Sequence, residues 1–354
     1  MKSPPVHGKA APAAREPRSG TTLLEVRDLA MHFQVGSGWV RAVDGVSFEL
    51  RRGETMGIVG ESGSGKTSLG YAMLRLLPAN GRILRGSIVF DGVDLVQLSE
   101  PELRRLRWTR FAMIFQNAMS ALNPVFRVGD QIVDAVRHHT GVSRIAARER
   151  AADLFQLVGL SRTRLRGYPH EFSGGMKQRA MIALALSCKP DLVIADEPTT
   201  ALDVVAQGQV LRQIKDLQRD LGLAMIFISH DISVVAEICR NVAVMYAGEL
   251  VEYAPTEQLL TEPRHPYTMA LLRSFPSVRG PLKTLLSVPG SPPDLVRPPS
   301  GCRFHPRCPF AQPICSEVSP PPIPTVDGGW ARCHFTEEIR RRGSDAIDVL
   351  EKVG

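Results

Sequence analysis

One octet restricts what this chain can become more than any other feature. Gly60-Glu61-Ser62-Gly63-Ser64-Gly65-Lys66-Thr67 fits the pattern GxxxxGK[ST], with the short apolar run Met56-Gly57-Ile58-Val59 before it and a helical pattern over Lys66–Leu77 after it. Glycines at these spacings let backbone N–H groups curl around an anion, and the positive N-terminus of the following helix completes the cradle. In this context the lysine reaches β- and γ-phosphates and the threonine hydroxyl ligates Mg²⁺. Gly60, Glu61, Ser62, Gly63, Ser64, Gly65, Lys66, Thr67 and Ser68 are the candidate nucleotide-binding residues, and Lys66 is also a candidate catalytic group.

Two further apolar runs support that reading. Leu192-Val193-Ile194-Ala195 ends in Asp196 and Glu197, and Ala224-Met225-Ile226-Phe227-Ile228-Ser229 ends at His230. Helical patterns over Val128–Arg137, Ile145–Val158 and Gly174–Ser187 fall between these runs. Short all-apolar strands alternating with helices predict a parallel sheet covered on both faces. Both acids then emerge at the carboxyl edge of the sheet, beside the phosphate loop. Asp196 is placed to hold Mg²⁺ and Glu197 to polarise an attacking water. Ahead of the loop, Leu24, Val26, Leu29 and Phe33 begin a strand-rich segment, and Val43–Leu50 alternates with period two. Phe33 is the candidate for stacking on adenine, with an ordinary core phenylalanine after a strand as the alternative. A second anion-binding helix start is expected at Phe172-Ser173-Gly174-Gly175-Met176-Lys177-Gln178-Arg179, with Ser173 as N-cap. One domain needs one such site for its own nucleotide, so this one suggests a face offered to another chain.

Composition sets the limits on the remainder. With 354 residues, 44% hydrophobic and 22% charged, the chain has material for a large core and is not globally disordered. No apolar run approaches the roughly 18 residues of a membrane span, and the N-terminal residues lack the apolar centre of a secretory signal. The net charge of +7 is compatible with nucleic acid or an anionic membrane face, but so modest an excess usually serves solubility and calls for no nucleic-acid partner. Residues 1–21 read as a disordered tail. Fourteen of the 27 prolines fall between Pro276 and Pro324, too dense for helices or central strands.

Four of the six cysteines (Cys302, Cys308, Cys315 and Cys333) lie in the same region, separated by five, six and seventeen residues. Disulfides do not suit a nucleotide-binding chain expected in the reducing cytosol. Spacing alone leaves three readings open: an iron–sulfur cluster, zinc with His305 or His334 nearby, and no ligation. A segment so poor in apolar residues gains stability from a ligated metal. For Arg297, Arg303, Arg307 and Arg332 two readings stand: counter-charges to a thiolate cluster, or solvated side chains.

The order of the motifs over residues 22–275 resembles the nucleotide-binding subunit of ATP-binding-cassette (ABC) transporters. Gly60–Thr67 matches Walker A, Gln116 in Ile114-Phe115-Gln116-Asn117 the Q-loop, and Asp196-Glu197 Walker B. Ser173-Gly174-Gly175-Met176 matches the signature, usually LSGGQ, with Phe172 and Met176 departing from it. Ala201-Leu202-Asp203 resembles the D-loop and His230 the switch histidine. The resemblance implies an α/β P-loop NTPase: a parallel-sheet core, an antiparallel β subdomain, a helical subdomain, and a Pro/Cys-rich C-terminal extension over 276–354. Two cassettes would close head to tail, each ATP lying between one Walker A and the partner's Ser173, Gly174, Gly175 and Asp203. Glu197 would be the general base, His230 would orient the γ-phosphate and water, and Gln116 would link Mg²⁺ to a membrane subunit.

The stretches Tyr168–Met176, Leu122-Asn123-Pro124 and His265-Pro266-Tyr267-Thr268 resemble the peptide/nickel-import branch, and Gly301–Pro309 with Cys315 and Cys333 resembles the extension of dipeptide/oligopeptide importer ATPases. Some members of that group carry a [4Fe–4S] cluster there, which is the implied role of the four cysteines, with zinc as the alternative. The implied assembly has a second cassette, identical or homologous, two transmembrane permease subunits and an extracytoplasmic solute-binding protein, with this chain on the cytoplasmic face of the cell membrane. The alternatives are an importer of nickel or another solute, and a soluble non-transport ABC protein.

Overall fold

The computed structural model describes residues 20–36, 38–116, 121–200, 202–274, 288, 290–326 and 328–341. The expected N-terminal tail lies outside them apart from Gly20 and Thr21, as does nearly all of the junction between cassette and extension.

Strands β1 (Thr22–Val35), β2 (Gly38–Arg51), β4 (Gly81–Phe90) and β5 (Val93–Asp94) form an antiparallel sheet in the order β2-β1-β4-β5. The alternation in β2 sends Val46, Phe48 and Leu50 inward, as a sheet with one solvated face requires. The second sheet has eight strands: β3 (Thr55–Val59), β6 (Phe111–Ile114), β7 (Leu192–Asp196), β8 (Ala224–Ser229), β9 (Asn241–Tyr246), β10 (Glu249–Pro255), β11 (Ile323–Pro324) and β12 (Trp330–Ala331). Their order is β11-β12-β10-β9-β3-β8-β7-β6. The run from β9 to β6 is parallel, whereas β10, β12 and β11 add on antiparallel.

The parallel strands are buried on both sides, and their residues divide by parity between two cores. Ile58, Leu192, Ile194, Ile226 and Ile228 face the antiparallel sheet, joined by Leu24, Val26, Met31 and Val43. Val59, Val193, Ala195, Met225 and Phe227 face the opposite core, covered by helices. The helices are α1 (Lys66–Met73), α2 (Glu100–Leu106), α3 (Val128–Thr140), α4 (Arg144–Leu157), α5 (Gly174–Ala185), α6 (Val204–Leu221), α7 (Ile232–Ile238), α8 (Thr256–Thr261), α9 (Pro266–Arg273) and α10 (Pro313–Glu317). Capping follows the sequence at three of them: Ser143, Ser173 and Asp203 accept N–H bonds from Ala146, Met176 and Ala206.

Helix α1 corrects its expected boundary. It stops at Met73 rather than Leu77 because Arg75 takes a left-handed backbone (φ 49°). The Arg75 and Leu76 N–H groups then donate to the Ala72 and Tyr71 carbonyls. This is a Schellman closure with arginine where glycine is usual, so the local stop signal is Pro78, which marks the end only to within a few residues.

The extension does not stand apart from the cassette. Its strands are only two residues long and sit at the sheet edge, where proline is tolerated. Trp330 stacks near Tyr253 with ring centroids 6.4 Å apart. The Arg41 N–H donates to the Leu295 carbonyl, and the Arg332 N–H to that of Val251. Phe304, fully buried, meets Tyr246 edge-on at 5.2 Å and lies 5.4 Å from Tyr267. Phe304→Ala should cost about 3–5 kcal/mol, the scale for an emptied aromatic site. Urea unfolding of the full chain, followed by cleavage C-terminal to residue 288 under limited proteolysis, checks this.

Candidate active site

The phosphate loop leaves the fully buried β3 and enters α1. Two of its glycines are required by what lies against them. A Cβ at Gly65 (φ 106°) would come 2.0 Å from the Ala42 carbonyl oxygen, and one at Gly60 would come 2.1 Å from that of Met245. The Gly248 N–H, in the β9–β10 turn, donates to the Ser64 carbonyl at 2.9 Å. The loop is therefore pressed between β2 and that turn.

Lys66 is buried, and its ammonium folds back onto the loop, donating to the Gly60 and Glu61 carbonyls at 2.8 Å each. Burial pushes it down to about 8, against the pull of Glu197, Asp196 and Glu61. A desolvated cation surrounded by carbonyls is held where a polyphosphate would improve its surroundings.

Asp196 closes β7 and is fully buried. One carboxylate oxygen accepts from the Thr67 hydroxyl at 3.2 Å; the other is buried with no hydrogen-bond partner among the described residues. An orphaned carboxylate oxygen beside a hydroxyl is a donor set that suits a hard cation such as Mg²⁺. Burial pushes Asp196 up to about 6, moderated by the Thr67 bond and Lys66 and reinforced by Glu197.

Glu197 follows with a left-handed backbone (φ 44°), which turns its side chain back over the strand ends. One oxygen lies 3.0 Å from His230 Nδ1; the other accepts from the Gln116 amide at 2.8 Å and the Thr200 hydroxyl at 2.9 Å. Burial works against ionisation, but the bonds from His230 and Thr200 outweigh it and hold the carboxyl below the usual range. Gln116, Glu197 and His230, predicted as separate motifs, form one hydrogen-bonded cluster. Thr200 was not foreseen; it sits three residues beyond Glu197 in the turn after Pro198.

Ser173, Gly174 and Gly175 open α5, and Asp203 caps α6; the two starts are neighbours, since a Cβ at Gly175 would lie 3.7 Å from that of Ala206. Among the described residues no hydrogen bond or ion pair joins Ser173–Gly175 to Gly60–Thr67. Phe33 is half-buried on β1, opposite Val40 and Gly81, and packs against the core beneath the antiparallel sheet. Asn117 and Ala201, beside Gln116 and Leu202, lie outside the described residues.

All four late cysteines line one partly open cavity, together with His265, Pro266, Phe304 and His305. Burial, aided by the neighbouring thiols, raises Cys302 to about 11 and Cys308 and Cys333 to about 12. Among the described residues no three His, Cys, Asp or Glu side chains are grouped so as to hold one metal ion, so the grouping supports neither the cluster nor the zinc alternative. Both readings of the arginines need correction for two of them. Arg303 pairs with Asp44 (2.5 Å) and Glu249 (3.1 Å), and Arg307 pairs with Glu61 (2.7 Å). Cassette carboxylates, not the thiols, take these charges. Arg297 is exposed, and the Arg332 guanidinium lies over the Trp330 ring.

A phosphate loop on a parallel sheet, with a carboxylate pair at the strand ends, defines a P-loop nucleotide hydrolase. Sequence comparison narrows this. Residues 43–200 match the family "ABC transporter", and residues 251–315 match "Oligopeptide/dipeptide transporter, C-terminal region". The chain is 46% identical over 325 residues to the oligopeptide transport ATP-binding protein OppD of Salmonella typhimurium, covering 91% of this chain and 96% of that one. It is 44% identical over 315 residues to the dipeptide transport ATP-binding protein DppD of Escherichia coli, covering 88% and 96%. Among solved structures, cbiO1 from Clostridium perfringens, part of an ABC transporter complex, is 26% identical with a TM-score of 0.60, covering 68% of this chain and 91% of that one. The ADP- and phosphate-bound cassette MJ0796 shares the fold at 24% identity, with a TM-score of 0.60 over 66% of this chain and 99% of that one. The chain belongs to the ABC transporter ATPases, in the group that carries the oligopeptide/dipeptide C-terminal region; it is an ATPase, using ATP and Mg²⁺. No helix among its described residues is long and apolar enough to cross a membrane.

The raised Asp196 sets a pH dependence. Its proton, bound below about 6, competes with the cation, so the Mg²⁺-dependent gain in ATP affinity should be flat above pH 7 and fall about tenfold per pH unit well below 6. ATP titrations with and without Mg²⁺ measure it, and Asp196→Asn should remove both the gain and its pH dependence.

Proposed function

We propose that this chain energises the import of di- and oligopeptides across the cytoplasmic membrane. The observation that carries the reading is one of combination: a full cassette and the oligopeptide/dipeptide C-terminal region lie on one chain that spans 96% of two peptide-transport ATP-binding proteins. The assembly it fits has a second cassette, two transmembrane permeases and an extracytoplasmic solute-binding protein, with this chain peripheral on the cytoplasmic face. Nickel and other solutes are the competing cargo; no feature of the described residues favours them.

In the proposed reaction, ATP lies on Gly60–Ser68, with Phe33 against the adenine, and the partner's equivalents of Ser173, Gly174, Gly175 and Asp203 close over the γ-phosphate. Thr67, Asp196 and Gln116 hold Mg²⁺, which when bound neutralises the phosphate oxygens. Glu197 is the general base: its ionised carboxylate takes the proton of the attacking water, and His230 orients that water and the γ-phosphate. Thr200 and Gln116 fix the carboxylate in place. This is positioning and electrostatics around a phosphoryl transfer, with little covalent work for the protein.

The finer reading of the extension is that Cys302, Cys308, Cys315 and Cys333 hold a [4Fe–4S] cluster. The convergence of four soft sulfur donors on one cavity is what favours it. When bound, the cluster supplies cross-links that a proline-rich segment lacks. Chemical analysis of protein purified without oxygen should find iron and acid-labile sulfide and a brown colour, lost together in Cys315→Ser; a colourless, iron-free sample would exclude the cluster.

Glu197→Gln should retain ATP binding within about threefold and lower steady-state hydrolysis by at least about 100-fold, the scale of a lost general base. Hydrolysis near the wild-type rate would remove Glu197 from that role. For cargo, peptide uptake by the reconstituted transporter should fail with this variant.

A further inference from the structure

The phosphate loop is gripped by residues of the extension. Glu61, its second residue, projects toward Arg307, which donates to both carboxylate oxygens at 2.7 and 3.0 Å. The guanidinium is only 5% exposed and also donates to the Tyr246 hydroxyl and to the Val288 and Gly290 carbonyls. The Glu61 N–H donates to the Tyr267 hydroxyl at 2.8 Å. A bidentate arginine fixes the orientation of its carboxylate as well as its charge.

The opposite side of the loop is held in a similar way. Arg303 donates to the Ala247 carbonyl at 2.6 Å and to Asp44, steadying the β9–β10 turn whose Gly248 N–H holds the Ser64 carbonyl. Each arginine is next in sequence to a cavity cysteine, Cys302 or Cys308, and Tyr267 follows the cavity-lining pair His265 and Pro266.

Glu61 places a negative charge on the loop that is to receive phosphates, which by itself would oppose ATP. Arg307 neutralises it and ties it down. We propose that Arg307 is a positioning residue of the nucleotide site: by gripping Glu61 it sets the conformation and charge of the phosphate loop, making the extension a working part of that site. The proposal rests on the nucleotide-binding reading and adds a dependence on residues outside the cassette.

The test is a double-mutant cycle on the full chain as purified with its native metal content, reading ADP affinity by calorimetry. Arg307→Gln should raise Kd about tenfold, the worth of one charge-assisted hydrogen bond. In the Glu61→Gln background the same substitution should change Kd by less than about twofold, because no carboxylate is left to neutralise. Arg307→Lys, which keeps the charge without the fork, should give an intermediate rise. In steady-state assays KM should rise in Arg307→Gln while kcat stays within about twofold, a split that general unfolding would not produce. An unchanged Kd in Arg307→Gln, or an equal penalty in both backgrounds, would overturn the proposal. If Arg307→Gln does not fold, Arg307→Lys with wild-type affinity in both backgrounds overturns it equally. A wild-type chain that binds no ADP would instead sink the nucleotide reading.

Discussion

The joint where the phosphate loop, β2 and the β9–β10 turn meet carries the rest of the structure. Three backbone segments come so close there that no side chain fits between them: the loop at Gly60 and Gly65, β2 at Ala42, and β9 at Met245. Two hydrogen bonds close the contact, from Gly248 N–H to Ser64 and from Asp44 N–H to the Gly248 carbonyl. Because β9 adjoins β3 in the parallel sheet while β2 belongs to the antiparallel one, this joint fixes the two sheets against each other. The loop's shape thus depends on tertiary packing as much as on its glycines, and a displaced turn would deform it without any change to the octet.

The charges around the loop are arranged at a cost that nucleotide relieves. Lys66 and Asp196 are both buried, and burial moves each away from its charged form. Their partners differ: the ammonium donates to two carbonyls and, more weakly, to the Ser64 hydroxyl, whereas one Asp196 oxygen has no partner among the described residues. Glu197 is treated in the opposite way, with three donors holding it ionised. Adjacent carboxylates in one sequence motif therefore have different environments: one is short of partners and suits a cation, the other is held ionised, with lone-pair capacity left on the oxygen beside His230, as a proton acceptor requires.

Much of this was legible in the sequence because it is local. The octet, the apolar strands ending in Asp196 and His230, and the caps at Ser173 and Asp203 each follow from residues within a few positions. Their shared location follows from the rule that the carboxyl ends of parallel strands lie along one edge. What was not legible is long-range. Arg75 closes α1 where composition favours glycine, and Pro78 announces the stop only to within a few residues. Arg303 and Arg307 read as counter-charges for the cysteines because Asp44, Glu249 and Glu61 lie from 54 to 259 positions away in the chain. Thr200 acquires meaning only once Glu197 turns back in a left-handed conformation.

The same distance explains how a proline-rich segment with a small apolar core of its own can hold a defined place. Phe304 supplies the hydrophobic anchor, inserted among Tyr246, Tyr267 and His265. Burial of one aromatic ring fixes depth but not rotation, since dispersion and the hydrophobic effect are weakly directional. The paired arginines supply direction: Arg303 and Arg307 flank Phe304 in sequence and reach carboxylates on β2 and on the phosphate loop itself. Buried ion pairs add little net stability when desolvation is counted, but a misaligned one leaves uncompensated charge. An extension docked in another register would bury two guanidinium groups without partners. The arginines therefore select one docking geometry from the many an apolar contact alone would allow, and that geometry is the one that brings a neighbour of a cavity cysteine, Arg307 beside Cys308, onto the phosphate loop.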